Sequence, residues 1–223
     1  MTGSYRARVR CFRCEPDGLP GRGIVAGTLF ARLKTLFDEG HARDIPDLLS
    51  DAHFSRTDAP TSAAVLIAVT DRPQPGVLLT QRPRGMRDHP GQVALPGGKL
   101  DNGEDAITAA LREAEEELAL PRSAVRIIGE SDVYETGTGF SVTPVLGVVP
   151  PDLPLLPSPA EVEAWFEAPL ALLLDPANWT ANETFWRGET RRYLEMDYEG
   201  FRIWGVTAAI LANLARRIEW DRS

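Results

Sequence analysis

Glu113, Glu116 and Glu117 stand within five consecutive residues of the segment Ile107 to Leu118, and carboxylates at that density are ligands for a hard cation. Ile107, Ala110, Leu111, Ala114 and Leu118 recur there at helical spacing and form an apolar stripe that must face a core. With a rotation of ~100° per residue, the three glutamates fall in an arc of about 100° beside the stripe, and Glu115 projects from its other flank. Like charges held so close raise one another's pKa unless a cation sits among them, and oxygen ligands suit Mg2+ or Mn2+. Such an ion holds a diphosphate and lowers the pKa of a bound water. Arg112, beside them, can hold one carboxylate in its ligating rotamer through a charge-assisted hydrogen bond. Glutamates alone would read as a solvated helix face. Upstream, however, Pro96-Gly97-Gly98 lets the backbone turn tightly and approach a ligand, with the Gly98 carbonyl placed to complete a metal shell.

Gly98, five residues, Glu104, seven residues and then Arg112-Glu113-Ala114-Glu115-Glu116-Glu117-Leu118-Ala119-Leu120 closely resembles the Nudix box. The departure is Ala119, where the family pattern has glycine; Pro121 still stops the helix. The resemblance implies the Nudix fold, an α/β (α+β) arrangement with a mixed β-sheet sandwiched between α-helices. It also implies metal-dependent hydrolysis of a nucleoside diphosphate linked to another group. Carried over by position, Glu113 and Glu117 are metal ligands, Glu116 is a third ligand or the residue that deprotonates water, and Arg112, Glu116 and Glu117 form the catalytic set. Glu104 lies about half a turn away by helical phase, which suits a supporting role behind the ligands.

Leu78-Leu79-Thr80-Gln81-Arg82 through Arg87, Gly91 and Pro96-Gly97-Gly98 is similar to the signature of the coenzyme A diphosphatase subgroup, with Pro83 in place of a small residue and Leu95 in place of Phe. Thr138 to Val145 and Trp204 to Ala208 extend the likeness, which runs from about residue 24 to the end. This resemblance implies cleavage of coenzyme A or acyl-coenzyme A into adenosine 3',5'-bisphosphate and (acyl-)4'-phosphopantetheine. Arg82 and Arg87 would meet the anionic groups, since guanidinium forks bind phosphates well, and Gly91 and Gly97 would let backbone approach the substrate. A second reading keeps fold and metal but takes ADP-ribose, a dinucleotide or a nucleoside triphosphate. A third, a Nudix-like module that binds a nucleotide without cutting it, has no use for the intact glutamate set.

The elements that must position these residues follow from periodicity and turn residues. Leu29, Phe30, Leu33, Leu36 and Phe37 predict an amphipathic helix. Strands are expected at Ala63 to Val69 and Val77 to Gln81, joined by a Pro/Gly-rich turn, and a short one at Gln92 to Leu95. The chemistry-bearing helix is expected from about Glu104 to Leu118. Beyond it come strands at Val125 to Gly129, Val142 to Val149 and Glu161 to Phe166. A hairpin follows at Arg191 to Tyr198 and Phe201 to Trp204, then a closing helix from about Val206 to Ile218. The chain therefore divides into an extension over 1–23, a bracing helix and linker over 24–58, and the main domain over 59–223.

Composition bounds the rest. With 223 residues, 43% of them hydrophobic, the chain can bury one sizeable core. A net charge of -8 argues against nucleic acid as a partner, because phosphate-backbone binding draws on clustered Lys and Arg. A small nucleotide remains compatible, since metal and local arginines offset the overall sign. Cys11 and Cys14 are the only cysteines and read as reduced thiols in the extension, which fits a cytoplasmic setting. No apolar run reaches the length of a membrane span. Oligomeric state has no signal in the sequence.

Overall fold

A ten-residue run of small, apolar and β-branched residues forms the centre of the molecule. The computed structural model describes residues 28–85, 89–186 and 188–220; the extension over 1–23 with Cys11 and Cys14, and Arg87, expected to bind substrate, lie outside them. Strand β1 (Thr61–Thr70) runs parallel to β7 (Phe140–Val149), in register from Thr61↔Phe140 to Thr70↔Val149. Both read as nearly continuous apolar stretches because both of their faces are covered. Alternation along β1 sends Ala63, Ile67 and Val69 into one core and Ala64, Leu66 and Ala68 into another.

Around this pair are β2 (Gly76–Gln81), β3 (Val93–Ala94), β4 (Gly97–Lys99), β5 (Arg126–Glu130), β6 (Tyr134–Glu135) and β8 (Ala164–Pro169). The sheet has the order β3-β2-β1-β7-β5, with β4 paired to β1, β6 to β7 and β8 to β2, all antiparallel. Helix α2 (Ala106–Leu118) covers one face through Ala109, Ala110, Ala114 and Leu118. On the other face, α1 (Leu29–His41), α3 (Leu170–Leu174) and α4 (Val206–Arg217) contribute Leu33, Phe37, Leu170, Leu173, Leu211 and Leu214. Burying a side chain the size of Leu118 contributes ~2 kcal/mol. The result is a mixed sheet between helices, as expected. A separate antiparallel sheet, ordered β11-β10-β9, is built from β9 (Thr180–Trp186), β10 (Glu189–Tyr198) and β11 (Phe201–Trp204).

Helix α2 begins at Ala106, two residues later than expected, because the Asp105 side chain caps it by accepting from the Thr108 N–H at 2.7 Å. Glu104 is thereby left ahead of the helix. The strand expected at Glu161 to Phe166 is displaced to Ala164–Pro169, since its ladder is set by pairing of Gly76 to Gln81 with Pro169 to Ala164. Strands β4, β6 and β9 and the five-residue α3 were not foreseen. Two- and three-residue strands carry no measurable period, and β9 faces solvent along most of its length.

Candidate active site

Contact between α2 and β4 assembles the site. A Cβ at Gly98 would overlap the Glu113 carboxylate, and one at Gly97 would overlap the Ala64 carbonyl and the Val65 backbone. Gly98 is thus a steric requirement of α2 packed closely over β4, and Gly97 of β4 lying against β1. Arg112 is the hub between α2 and β4. Its Nε and Nη2 grip both oxygens of Glu104 at 3.1 and 3.0 Å, and Nη2 also donates to the Lys99 carbonyl at 3.0 Å. Its Nη1 donates to Glu113 at 2.8 Å and Glu116 at 3.2 Å. The Arg112 fork holds the Glu104 carboxyl below its ordinary value, and Glu104 in turn is the main cause that keeps the guanidinium charged. The Asp101 N–H adds a bond to Glu104 at 2.9 Å.

Glu117 is different. Its residue is 7% exposed, and its Oε2 is buried without a hydrogen-bond partner. Burial, then the charges of Glu113 and Glu161, push its carboxyl up to about 8; the Gly97 N–H and the charge of Arg82 pull the other way. Sequence reasoning overlooked Glu161, which lies in the loop between β7 and β8. That loop is tied to the end of α2 by Ser158 N–H donating to the Glu117 carbonyl at 2.8 Å and Leu156 N–H to the Leu118 carbonyl at 2.8 Å. No local motif marks Glu161; only the return of this loop brings it near.

Arg82, just past β2, also reaches this place, and its Nε is buried without a partner. Its backbone N–H donates to the Gln92 carbonyl at 2.9 Å, which fixes the strand end beside β3. Gly91 sits farther out, with φ +70°, a left-handed conformation that suits glycine, and its carbonyl accepts from Gln81 Nε2 at 3.3 Å. Glu115 points away and pairs with Arg122 at 2.7 Å. The helix ends on Ala119 at φ +53°, the left-handed position where glycine is the unstrained residue.

Among the described residues no three His, Cys, Asp or Glu side chains converge as a ready-made cation cage. The expected crowd of three carboxylates is not seen as such: Glu113 is near enough for its charge to act on Glu117, and Glu116 is exposed and bound to Arg112. These groups nonetheless suit a divalent ion. All donors are oxygens, Glu113 lies against bare backbone at Gly98, and an unpartnered buried carboxylate oxygen on Glu117 is costly unless something electropositive meets it.

Comparison with known proteins identifies the family. The NUDIX domain family model matches residues 60–186. The chain belongs to the Nudix family. It is 50% identical over 157 residues to the Uncharacterized Nudix hydrolase NudL of Escherichia coli (strain K12), covering 70% of this chain and 82% of that protein. The NudL of Shigella boydii serotype 4 (strain Sb227) is 49% identical over the same length. The crystal structure of the Nudix hydrolase RenU from M. smegmatis shares the fold, with a TM-score of 0.50 and 21% identity over 76% of this chain and 92% of that one. Membership places this Nudix protein among hydrolases of nucleoside diphosphate-linked substrates, which generally need divalent metal ions. Among the described residues no helix is long and apolar enough to cross a membrane.

Proposed function

We propose that this Nudix hydrolase cleaves the diphosphate bond of coenzyme A or acyl-coenzyme A, yielding adenosine 3',5'-bisphosphate and (acyl-)4'-phosphopantetheine. The observation that carries the reading is Arg82. It belongs to the segment resembling the coenzyme A diphosphatase signature, and its unpartnered Nε is buried near Glu117 of the box helix. A buried guanidinium donor with no acceptor is suited to an anionic oxygen of the substrate.

Glu113 and Glu117, with Glu116 at the rim and the Gly98 backbone alongside, would hold Mg2+ or Mn2+. When bound, the ion supplies charge stabilisation for the diphosphate and lowers the pKa of water. Arg112 keeps Glu113 and Glu116 in fixed rotamers and is itself anchored by Glu104 and the Lys99 carbonyl. The Glu116 side chain, 55% exposed, is the carboxylate open to solvent and takes the proton from the attacking water. Glu117 Oε2, closed to bulk water, binds rather than shuttles. Gly97 lets β4 lie close against β1, and its N–H and the charge of Arg82 both act on Glu117. Arg87 completes the substrate contacts in this reading.

The test is product identification by mass after incubation with Mg2+ or Mn2+ and coenzyme A, acetyl-coenzyme A, ADP-ribose, NADH or deoxynucleoside triphosphates. Coenzyme A or its acyl form should turn over fastest, and Arg82→Ala should raise KM more than it lowers kcat. Faster turnover of ADP-ribose would remove the coenzyme A reading. No cleavage of any diphosphate with either metal would favour a nucleotide-binding module.

A further inference from the structure

A second cavity, of about 230 Å³, opens between the three-stranded sheet, the start of α4 and residues 49–51 ahead of β1. None of its lining residues belongs to α2, β4 or the loop carrying Glu161. Leu49, Tyr134, Leu194 and Ala209 give it apolar walls, and Asp51 and Arg191 supply a charged end. Its volume is kept open by small residues. Nothing lies within 4 Å of where a Cβ of Gly205 would sit, and Ala181 lines the β9 side.

The walls are fixed in advance. Asn213, 3% exposed, accepts from the Leu49 N–H at 2.8 Å and donates to the Leu49 carbonyl at 2.9 Å. Arg216 holds the carbonyls of Pro46 and Asp47 at 2.7 and 2.6 Å, and the Asp51 N–H donates to the Glu135 carbonyl at 2.8 Å. A segment pinned by so many bonds does not collapse to fill the space, which distinguishes the cavity from a gap that side chains could close.

The charged end is incompletely satisfied. Asp51 Oδ2 accepts from the Tyr134 hydroxyl at 2.9 Å and from Arg191 Nη2. Arg191 Nε, buried beside it, has no partner. A guanidinium fork normally engages a carboxylate through two N–H groups, and here one of the two is left without an acceptor. A buried charged donor in that state lacks the compensation that a paired one has. Arg191 lines the cavity, so the anionic group of an entering molecule would meet its guanidinium there, while the apolar walls would receive the rest of the molecule.

We propose that this cavity is a second ligand site, for a small carboxylate with a compact apolar body, separate from the metal-dependent centre. Calorimetric titration of the full chain with phenylacetate and hexanoate, beside phenylethanol and phenethylamine, tests it. At least one of the two carboxylates should bind saturably and about tenfold more tightly than the neutral and cationic analogues, the discrimination of one charge-assisted hydrogen bond. Ala181→Leu on exposed β9, and independently Leu49→Phe on the opposite wall, should abolish that binding while diphosphate hydrolysis continues. Failure of both carboxylates to bind, equal binding of the three charge types, or binding unchanged in both folded variants would overturn the proposal.

Discussion

Replacing Glu117 by Gln should make the metal-free protein more stable, and the gain should depend on pH. Glu117 has its carboxyl raised from 4.5 to about 8 by burial and by the charges of Glu113 and Glu161. A carboxyl whose folded pKa exceeds its unfolded one binds its proton more tightly in the folded chain. Its contribution to stability is therefore complete below about pH 4.5 and is lost as pH rises through about 8. At ~1.36 kcal/mol per pKa unit, the loss between pH 5 and pH 8.5 is about 3 kcal/mol, allowing for some relaxation around the buried charge. Gln keeps the shape and removes the titration. Urea unfolding in EDTA at several pH values should show the stability difference between Glu117→Gln and the unsubstituted protein widening by about that amount, roughly 10 °C in Tm. Saturating Mg2+ or Mn2+ should then stabilise the unsubstituted protein and barely affect the variant. Parallel loss of stability in both proteins would refute the placement of Glu117 as a desolvated carboxylate acted on by the charge of Glu113.

Three further outcomes follow from the same geometry. Gly98→Ala would drive a Cβ into the Glu113 carboxylate, so kcat should fall about a hundredfold in steady-state assays while Tm changes little. Ala119→Gly relieves a residue held at φ +53° and should raise stability by about 1 kcal/mol, a Tm gain of roughly 2–4 °C by calorimetry. Glu115→Gln removes only the exposed pair with Arg122, so kinetic constants should be unchanged and stability should fall by less than ~1 kcal/mol; a loss of turnover would mean that Glu115 belongs to the site.

The long elements were legible because their periods were. The stripe through Ala110, Ala114 and Leu118 located α2 and put Glu115 on the far flank, and the apolar runs located β1 and β7. The short ones were not: β4 exists because Ala63 to Val65 pair with Lys99 to Gly97, a partnership invisible in three residues of sequence. Glu161 was missed for a related reason. It adjoins Glu117 only because Ser158 and Leu156 bond the loop to the carbonyls of Glu117 and Leu118.

By itself, then, the sequence determined the identity and helical phase of the glutamates, the need for glycine at 97 and 98, and the family whose chemistry they serve. Tertiary structure decided their surroundings. Helical phase gives a direction but not an environment. Packing of α2 on β4, with Arg82 and the Glu161 loop closing over one end, is what buries Glu117, leaves its Oε2 unpaired, and turns Glu116 outward to Arg112. Burial and charge proximity are properties of chain segments far apart in sequence, and a carboxylate's affinity for a proton or a metal is set by them.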